Sequence, residues 1–134
     1  MNAETWLTGA CHCGEVRWRY RGLPASATSC NCTVCSRYGA LWAYGEEGES
    51  VEVSGATANY VPQDALAFHF CKRCGCLAYF ATLEPNGQGR RDIAVNLRMG
   101  DPEQLKDIPM RRWEGRHSWS AAPAAGRTLG EHWF

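Results

Sequence analysis

A small, mainly β domain pinned by metal is the fold class this sequence predicts, and three features carry the prediction. Apolar and polar residues alternate with period two in several short segments bounded by glycine, proline or acidic turns, the signature of half-buried strands. Eight cysteines fall in tight clusters. Helix signals are confined to two short stretches. A chain of 134 residues is long enough for one domain with a modest core and too short for two ordinary ones, so residues 1–134 read as a single domain.

In the first segment, Val16, Trp18 and Tyr20 alternate with Arg17, Arg19 and Arg21, giving a strand with an apolar face and a wet arginine face. Cys11-His12-Cys13-Gly14 precedes it, and Gly14 suits the positive φ of a tight metal-binding turn. His12 points away from its flanking cysteines if those share a side, so it is not counted as a ligand. Residues 25–30 are short and extended, and residues 34–38 form one helical turn. Residues 40–44 and 50–53 are strands around an acidic turn whose Glu46, Glu47 and Glu49 face solvent. Residues 57–61 form another strand. Leu66, Phe68 and Phe70 alternate with Ala67 and His69 and deliver Cys71 at a strand end. Lys72 and Arg73 then make the tip of a knuckle that Gly75 relieves. Residues 77–83 and 92–97 are two further strands. Asp101 caps a short helix that has Pro102 at its first position. From Pro109 onward the tail carries Trp113, Trp119 and Trp133 without clear periodicity. Aromatic rings bury large areas, so the tail is expected to lie over the sheet, with substrate stacking as the alternative for one ring.

Composition excludes several partners. The 14 basic and 14 acidic residues cancel and form no long run of one sign, which argues against nucleic acid or an anionic membrane. No apolar run approaches the ~20 residues of a membrane span, and the first residues lack a signal-peptide layout, so a cytoplasmic protein is expected. In that reducing compartment cysteines stay free for metal or catalysis. Neighbours two apart are also poorly placed to bridge each other and well placed to share an ion.

The thiols divide by spacing. Cys30-x-Cys32-x-x-Cys35 can turn three sulfurs toward one point about 2.3 Å away, the zinc–sulfur distance. Three ligands leave a tetrahedral ion one open position, unless a fourth cysteine from elsewhere closes the site. Cys11-x-Cys13 and Cys71-x-x-Cys74 are two half-sites that together make a closed four-thiolate site, tying the first strands to the central hairpin. Cys76 is left over, and reads as a small buried apolar residue.

In this order and spacing, Cys11-x-Cys13-Gly14, Cys30-x-Cys32-x-x-Cys35 and Phe70-Cys71-x-x-Cys74-Gly75 resemble the glutathione-dependent formaldehyde-activating enzymes and the related centromere protein V domains. The resemblance covers nearly the whole chain. Its later part, from Ile93 to Arg98 and then Trp113-Glu114-Gly115, resembles a bacterial branch of that family. It implies a largely antiparallel, Mss4-like β-tent and a structural zinc at Cys11, Cys13, Cys71 and Cys74. A second, labile zinc would sit at Cys30, Cys32 and Cys35, where catalysis is expected. The implied activity is that of a carbon–sulfur lyase joining a glutathione-like thiol to a small aldehyde such as formaldehyde, or the reverse. Two positions depart from the family pattern: Asn31, where many members carry histidine, and Glu114, where this branch more often has aspartate.

The chemistry suits the ligands. Three thiolates leave Zn²⁺ with a formal charge of about −1, too soft for ordinary water activation but able to take up and deprotonate an incoming thiol. Glutathione also carries two carboxylates, which need cationic partners near the metal. Arg37, two residues past Cys35, is the nearest candidate in sequence, with Lys72 and Arg73 as second choices. Two other classes stand beside this reading. One is a zinc-stapled binding module; the other is a thiol redox enzyme with an exposed, low-pKa Cys76 as nucleophile.

Overall fold

In the computed structural model, which describes residues 5–122 and 127–131, the alternating segments assemble into two sheets. β1 (Trp6–Ala10), β2 (Arg17–Arg21) and β5 (Val51–Ser54) form a three-stranded antiparallel sheet with β2 in the middle. The larger sheet begins with β6 (Thr57–Tyr60), β7 (Leu66–Cys71), β8 (Leu77–Thr82) and β9 (Asp92–Asn96), followed by β4 (Trp42–Glu46). It continues through β3 (Ala27–Cys30), β10 (Met110–Glu114) and β11 (Ser120–Ala121). Every pairing is antiparallel except β3 with β10, which is parallel. The structure is mainly β, as the sequence predicts, with two one-turn helices, α1 (Cys35–Tyr38) and α2 (Pro102–Leu105), among the described residues. Asp101 caps α2 as expected, its carboxylate accepting the Glu103 N–H at 3.0 Å.

Period-two alternation gives the larger sheet two buried faces. Ala43, Tyr79, Ala81, Ile93 and Val95 face the smaller sheet and pack with its Leu7, Trp18 and Val51. Trp42, Phe68 and Ala94 point the other way and pack against Cys35 and Ala40, with Phe80 alongside. Trp18 and Trp42 are almost wholly buried, one on each side. Each such side chain contributes roughly 3 kcal/mol of hydrophobic stabilisation. A cysteine cluster is attached to each packed layer.

The tail differs from expectation. Instead of lying over the sheet, residues 110–114 enter it as β10, held beside β3 in a parallel register that sets Trp113 opposite Cys30. Trp133 lies outside the described residues. The chain before Val16 also forms a strand of its own, β1, and Glu46 ends β4 instead of sitting in the following turn. There its carboxylate accepts from Asn86 Nδ2 at 2.6 Å. Arg19 and Arg21 occupy the exposed face of β2 and stack on the Trp6 ring at 3.9 and 5.1 Å.

Candidate metal centres

The first centre joins the two sheets. Cys11 follows β1 and is fixed by a tight turn, its N–H donating to the Val16 carbonyl at 2.9 Å and its carbonyl accepting from Gly14 at 2.9 Å. Cys71 ends β7, and its carbonyl accepts the Gly75 N–H at 2.9 Å, closing the knuckle. These turns bring the sulfurs of Cys11, Cys13, Cys71 and Cys74 within 4.8 Å of one another. Cys13 Sγ lies 3.6 Å from both Cys11 Sγ and Cys71 Sγ. Two bonds of about 2.3 Å at a tetrahedral angle set sulfurs about 3.8 Å apart, whereas a disulfide needs about 2.05 Å. The spacing fits a shared zinc and excludes cross-linking.

Backbone donors complete the fit. The Val16 N–H donates to Cys11 Sγ at 3.2 Å, and the Arg73 and Cys74 N–H groups donate to Cys71 Sγ at 3.3 and 3.4 Å. Such bonds favour thiolates, which are what a metal takes up. The N–H groups of Cys76 and Cys13 bring the Cys74 thiol down to about 6. The Glu15 N–H favours the Cys13 thiolate too, yet burial and the adjacent sulfurs push this thiol up to about 12. Four thiols so close do not all ionise unless a cation balances them, so this donor set calls for a divalent ion.

The second centre lies on the opposite face of the larger sheet. Cys30 ends β3, Cys32 sits in the loop and Cys35 opens α1, and their sulfurs also lie within 4.8 Å of one another. The Cys32 N–H donates to Cys30 Sγ at 3.4 Å and the Cys35 N–H to Cys32 Sγ at 3.2 Å, the same knuckle pattern. Burial raises Cys30 and Cys35; it opposes the Cys32 thiolate too, but the Cys35 N–H and the two neighbouring thiols outweigh it and lower Cys32. The Trp42 indole N–H is buried without a conventional hydrogen-bond partner and favours the Cys35 thiolate. No fourth cysteine, histidine or carboxylate joins the three among the described residues. The site is open.

A strap from the tail crosses this centre, and periodicity gave no sign of it. A Cβ on Gly115 would lie 2.8 Å from Cys30 Sγ and 2.9 Å from Cys32 Cβ, so the chain passes too close for any other residue. Asn31 fastens it: its Nδ2 donates to Glu114 Oε1 at 2.9 Å, and its Oδ1 accepts the Gly115 N–H at 2.7 Å. The other oxygen of Glu114 accepts from the N–H groups of His117 and Ser118 at 2.8 and 2.7 Å. Asn31, Ser118 and His117 together hold the Glu114 carboxyl down at about 2, so it stays ionised. Arg116 adds a bond from Nε to the Asn31 carbonyl at 2.6 Å. Trp119 packs edge-on against Trp113 with centroids 5.6 Å apart.

The remaining predicted residues are placed as follows. Arg37 donates to the Thr33 carbonyl at 2.8 Å and lines a cavity of about 410 Å³ with Tyr38 and Tyr60. That cavity touches none of the three cysteines. A second cavity, of about 250 Å³, reaches Cys30 and Cys35, and its one charged side chain is Arg98. His12 belongs to neither cluster. Cys76 also stands outside both; it packs half-buried against the core, and burial pushes its thiol up, against the needs of a redox nucleophile. Cys76→Ala is therefore expected to retain the full metal content of the parent protein and to shift the midpoint of thermal unfolding by only a few degrees. Metal analysis beside a melting curve checks this, and loss of an equivalent of metal would make Cys76 a ligand.

Among the described residues no helix is long and apolar enough to cross a membrane. The profile of the glutathione-dependent formaldehyde-activating enzyme family matches residues 6–110, a span that contains both cysteine clusters. No curated protein matches the chain. The chain belongs to the glutathione-dependent formaldehyde-activating enzyme family, and this membership supports an enzyme of that general activity.

Proposed function

We propose that this family member is a zinc-dependent carbon–sulfur lyase that adds a glutathione-like thiol to a small aldehyde such as formaldehyde, or runs the reverse. One observation carries the reading: three converging sulfurs, with no fourth ligand among the described residues, beside a cavity. Zinc held by Cys30, Cys32 and Cys35 would supply a soft Lewis acid with one open position, suited to deprotonating a thiol and poorly suited to activating water. In the overall reaction the thiol sulfur bonds the aldehyde carbon, the carbonyl π pair moves to oxygen, and that oxygen takes up a proton. Adduct formation therefore leaves the proton count unchanged.

The chain's own part is to hold and to shape. The knuckle N–H groups fix the three sulfurs, and the strap at Gly115 covers them on one side. Asn31 and Glu114, the two departures from the family pattern, bond each other. Asn31 carries no titratable group, and both ends of its carboxamide are committed to the strap, so the proton leaves to solvent in this chain. Arg37 is the candidate for an outer carboxylate of glutathione, from the neighbouring cavity.

Calorimetric titration of zinc-loaded protein with glutathione tests the reading. A thiol of pKa about 8.5 is almost wholly protonated at pH 7, so binding as thiolate releases close to one proton per site there. The release falls toward zero as pH rises well above that value, because the free thiol is then already ionised. Repeating the titration in buffers of different ionisation enthalpy reads the proton directly. Absence of binding, or binding with no proton released, rejects the enzyme and moves the zinc-stapled binding module ahead.

A further inference from the structure

Within the proposed thiol site, we infer that Arg98 is the specificity-determining residue, taking a carboxylate of the incoming thiol. The cavity of about 250 Å³ that opens onto Cys30 and Cys35 is lined also by Ser36 and Gly39, and among the described residues Arg98 is the one charged side chain lining it. It is below the usual size of a pocket for a drug-sized ligand, so it takes the sulfur-bearing part of a thiol and one carboxylate. A tripeptide's remainder lies outside.

Arg98 is held for this task. Its backbone N–H donates to Asn96 Oδ1 at 3.2 Å, and Asn96 is itself buried, donating to the Leu77 carbonyl at 2.9 Å and accepting from the Leu41 N–H at 3.3 Å. The side chain is fixed as well, Nε donating to the Gly39 carbonyl at 2.8 Å. Gly39 is the left-handed cap of α1, at φ 67°, and its own N–H donates to the Cys35 carbonyl at 3.0 Å. One short chain of hydrogen bonds therefore runs from the Cys35 backbone to the guanidinium. With Nε committed, the two terminal nitrogens keep their donors for a carboxylate's two oxygens, the paired geometry that lysine does not reproduce. A preorganised fork of this kind loses little entropy when it binds.

Arg98 offers a second use, as a counter-charge to the cysteine cluster itself, and the experiment separates the two. Zinc-loaded wild type, Arg98→Gln and Arg98→Lys are titrated with glutathione and with glutathione diethyl ester, whose carboxylates are masked, and the metal content of each protein is measured. The expected result is that wild type favours glutathione over the ester by about tenfold or more, as a charge-assisted pair requires. Arg98→Gln cuts that preference several-fold, leaving only what a contact at Arg37 supplies, and binds the ester as wild type does with zinc content unchanged. Arg98→Lys lies between. An undiminished preference in Arg98→Gln assigns the carboxylate to another cation and overturns the inference. Equal binding of acid and ester by wild type overturns the inference while leaving the thiol reading intact. Equal loss of both ligands in Arg98→Gln, or loss of zinc, assigns Arg98 to the cluster's charge and overturns it too. If wild type binds neither thiol, the functional reading itself has failed.

Discussion

Cys71→Ser is expected to give a chain that does not fold, recovered as insoluble protein or as a soluble species without cooperative unfolding. Cys71 is the most constrained of the four clustered cysteines. Its sulfur lies 3.6 Å from Cys13 Sγ and accepts two backbone N–H groups, while its own N–H and carbonyl close the knuckle onto Cys76 and Gly75. It ends β7 in the larger sheet, whereas Cys11 and Cys13 belong to the turn between β1 and β2 in the smaller. Removing it opens the clasp between the two sheets. A structural zinc contributes apparent binding free energy of about 10–16 kcal/mol, comparable to the whole stability of a small domain at about 5–15 kcal/mol. Losing one ligand of four is therefore a large fraction of the total. Circular dichroism and metal content, compared with the parent protein before and after a strong chelator, check the outcome. A Cys71→Ser chain that unfolds cooperatively and keeps both metals would show that these four sulfurs do not hold the fold together.

What the sequence disclosed follows from the range of the forces involved. Ligand spacing is local, so Cys11-x-Cys13 and Cys71-x-x-Cys74 could be read as two half-sites, and the structure brings their four sulfurs within 4.8 Å of one another. Alternation is local too, and it placed Trp18 and Phe68 on buried faces. Features that depend on distant partners were hidden. β10 has two consecutive exposed arginines, Arg111 and Arg112, which break period two, and its parallel partner β3 lies far back in the chain. The Asn31–Glu114 bond links side chains 83 residues apart, and neither residue type advertises a partner. Proximity in sequence favoured Arg37 as the cation nearest the three cysteines. One turn of α1 instead carries Arg37 to the neighbouring cavity, and Arg98 reaches theirs through the Gly39 carbonyl. A three-residue count along the chain could not reveal that exchange, because it arises where β9 ends beside the start of β4.

Cys32→Ser is expected to separate function from fold. Cys32 is the middle cysteine of the three-sulfur cluster, accepting the Cys35 N–H at 3.2 Å while its own N–H supports Cys30 at 3.4 Å. Its loss leaves two thiols, too few to retain zinc against competing buffer thiols, so the metal content should fall by one equivalent per chain. Glutathione binding and its coupled proton release should vanish together, with any thiol–aldehyde activity reduced to background. The fold should survive, because the clasp between the sheets is made by the other four cysteines and the Trp42 layer is packed mainly by Phe68, Phe80 and Ala94. A drop of a few degrees in the unfolding midpoint is the size expected when a locally stabilising ion is removed from an otherwise complete core. A three-thiolate site would bind zinc less tightly than a four-thiolate one, so the comparison is made on protein reloaded with zinc and freed of excess. If Cys32→Ser keeps thiol binding with proton release, the deprotonating centre lies elsewhere and the three-cysteine site is structural. If instead the variant loses its fold along with its metal, both centres hold up the domain, and an open catalytic site beside a closed structural one is the wrong division of the cysteines.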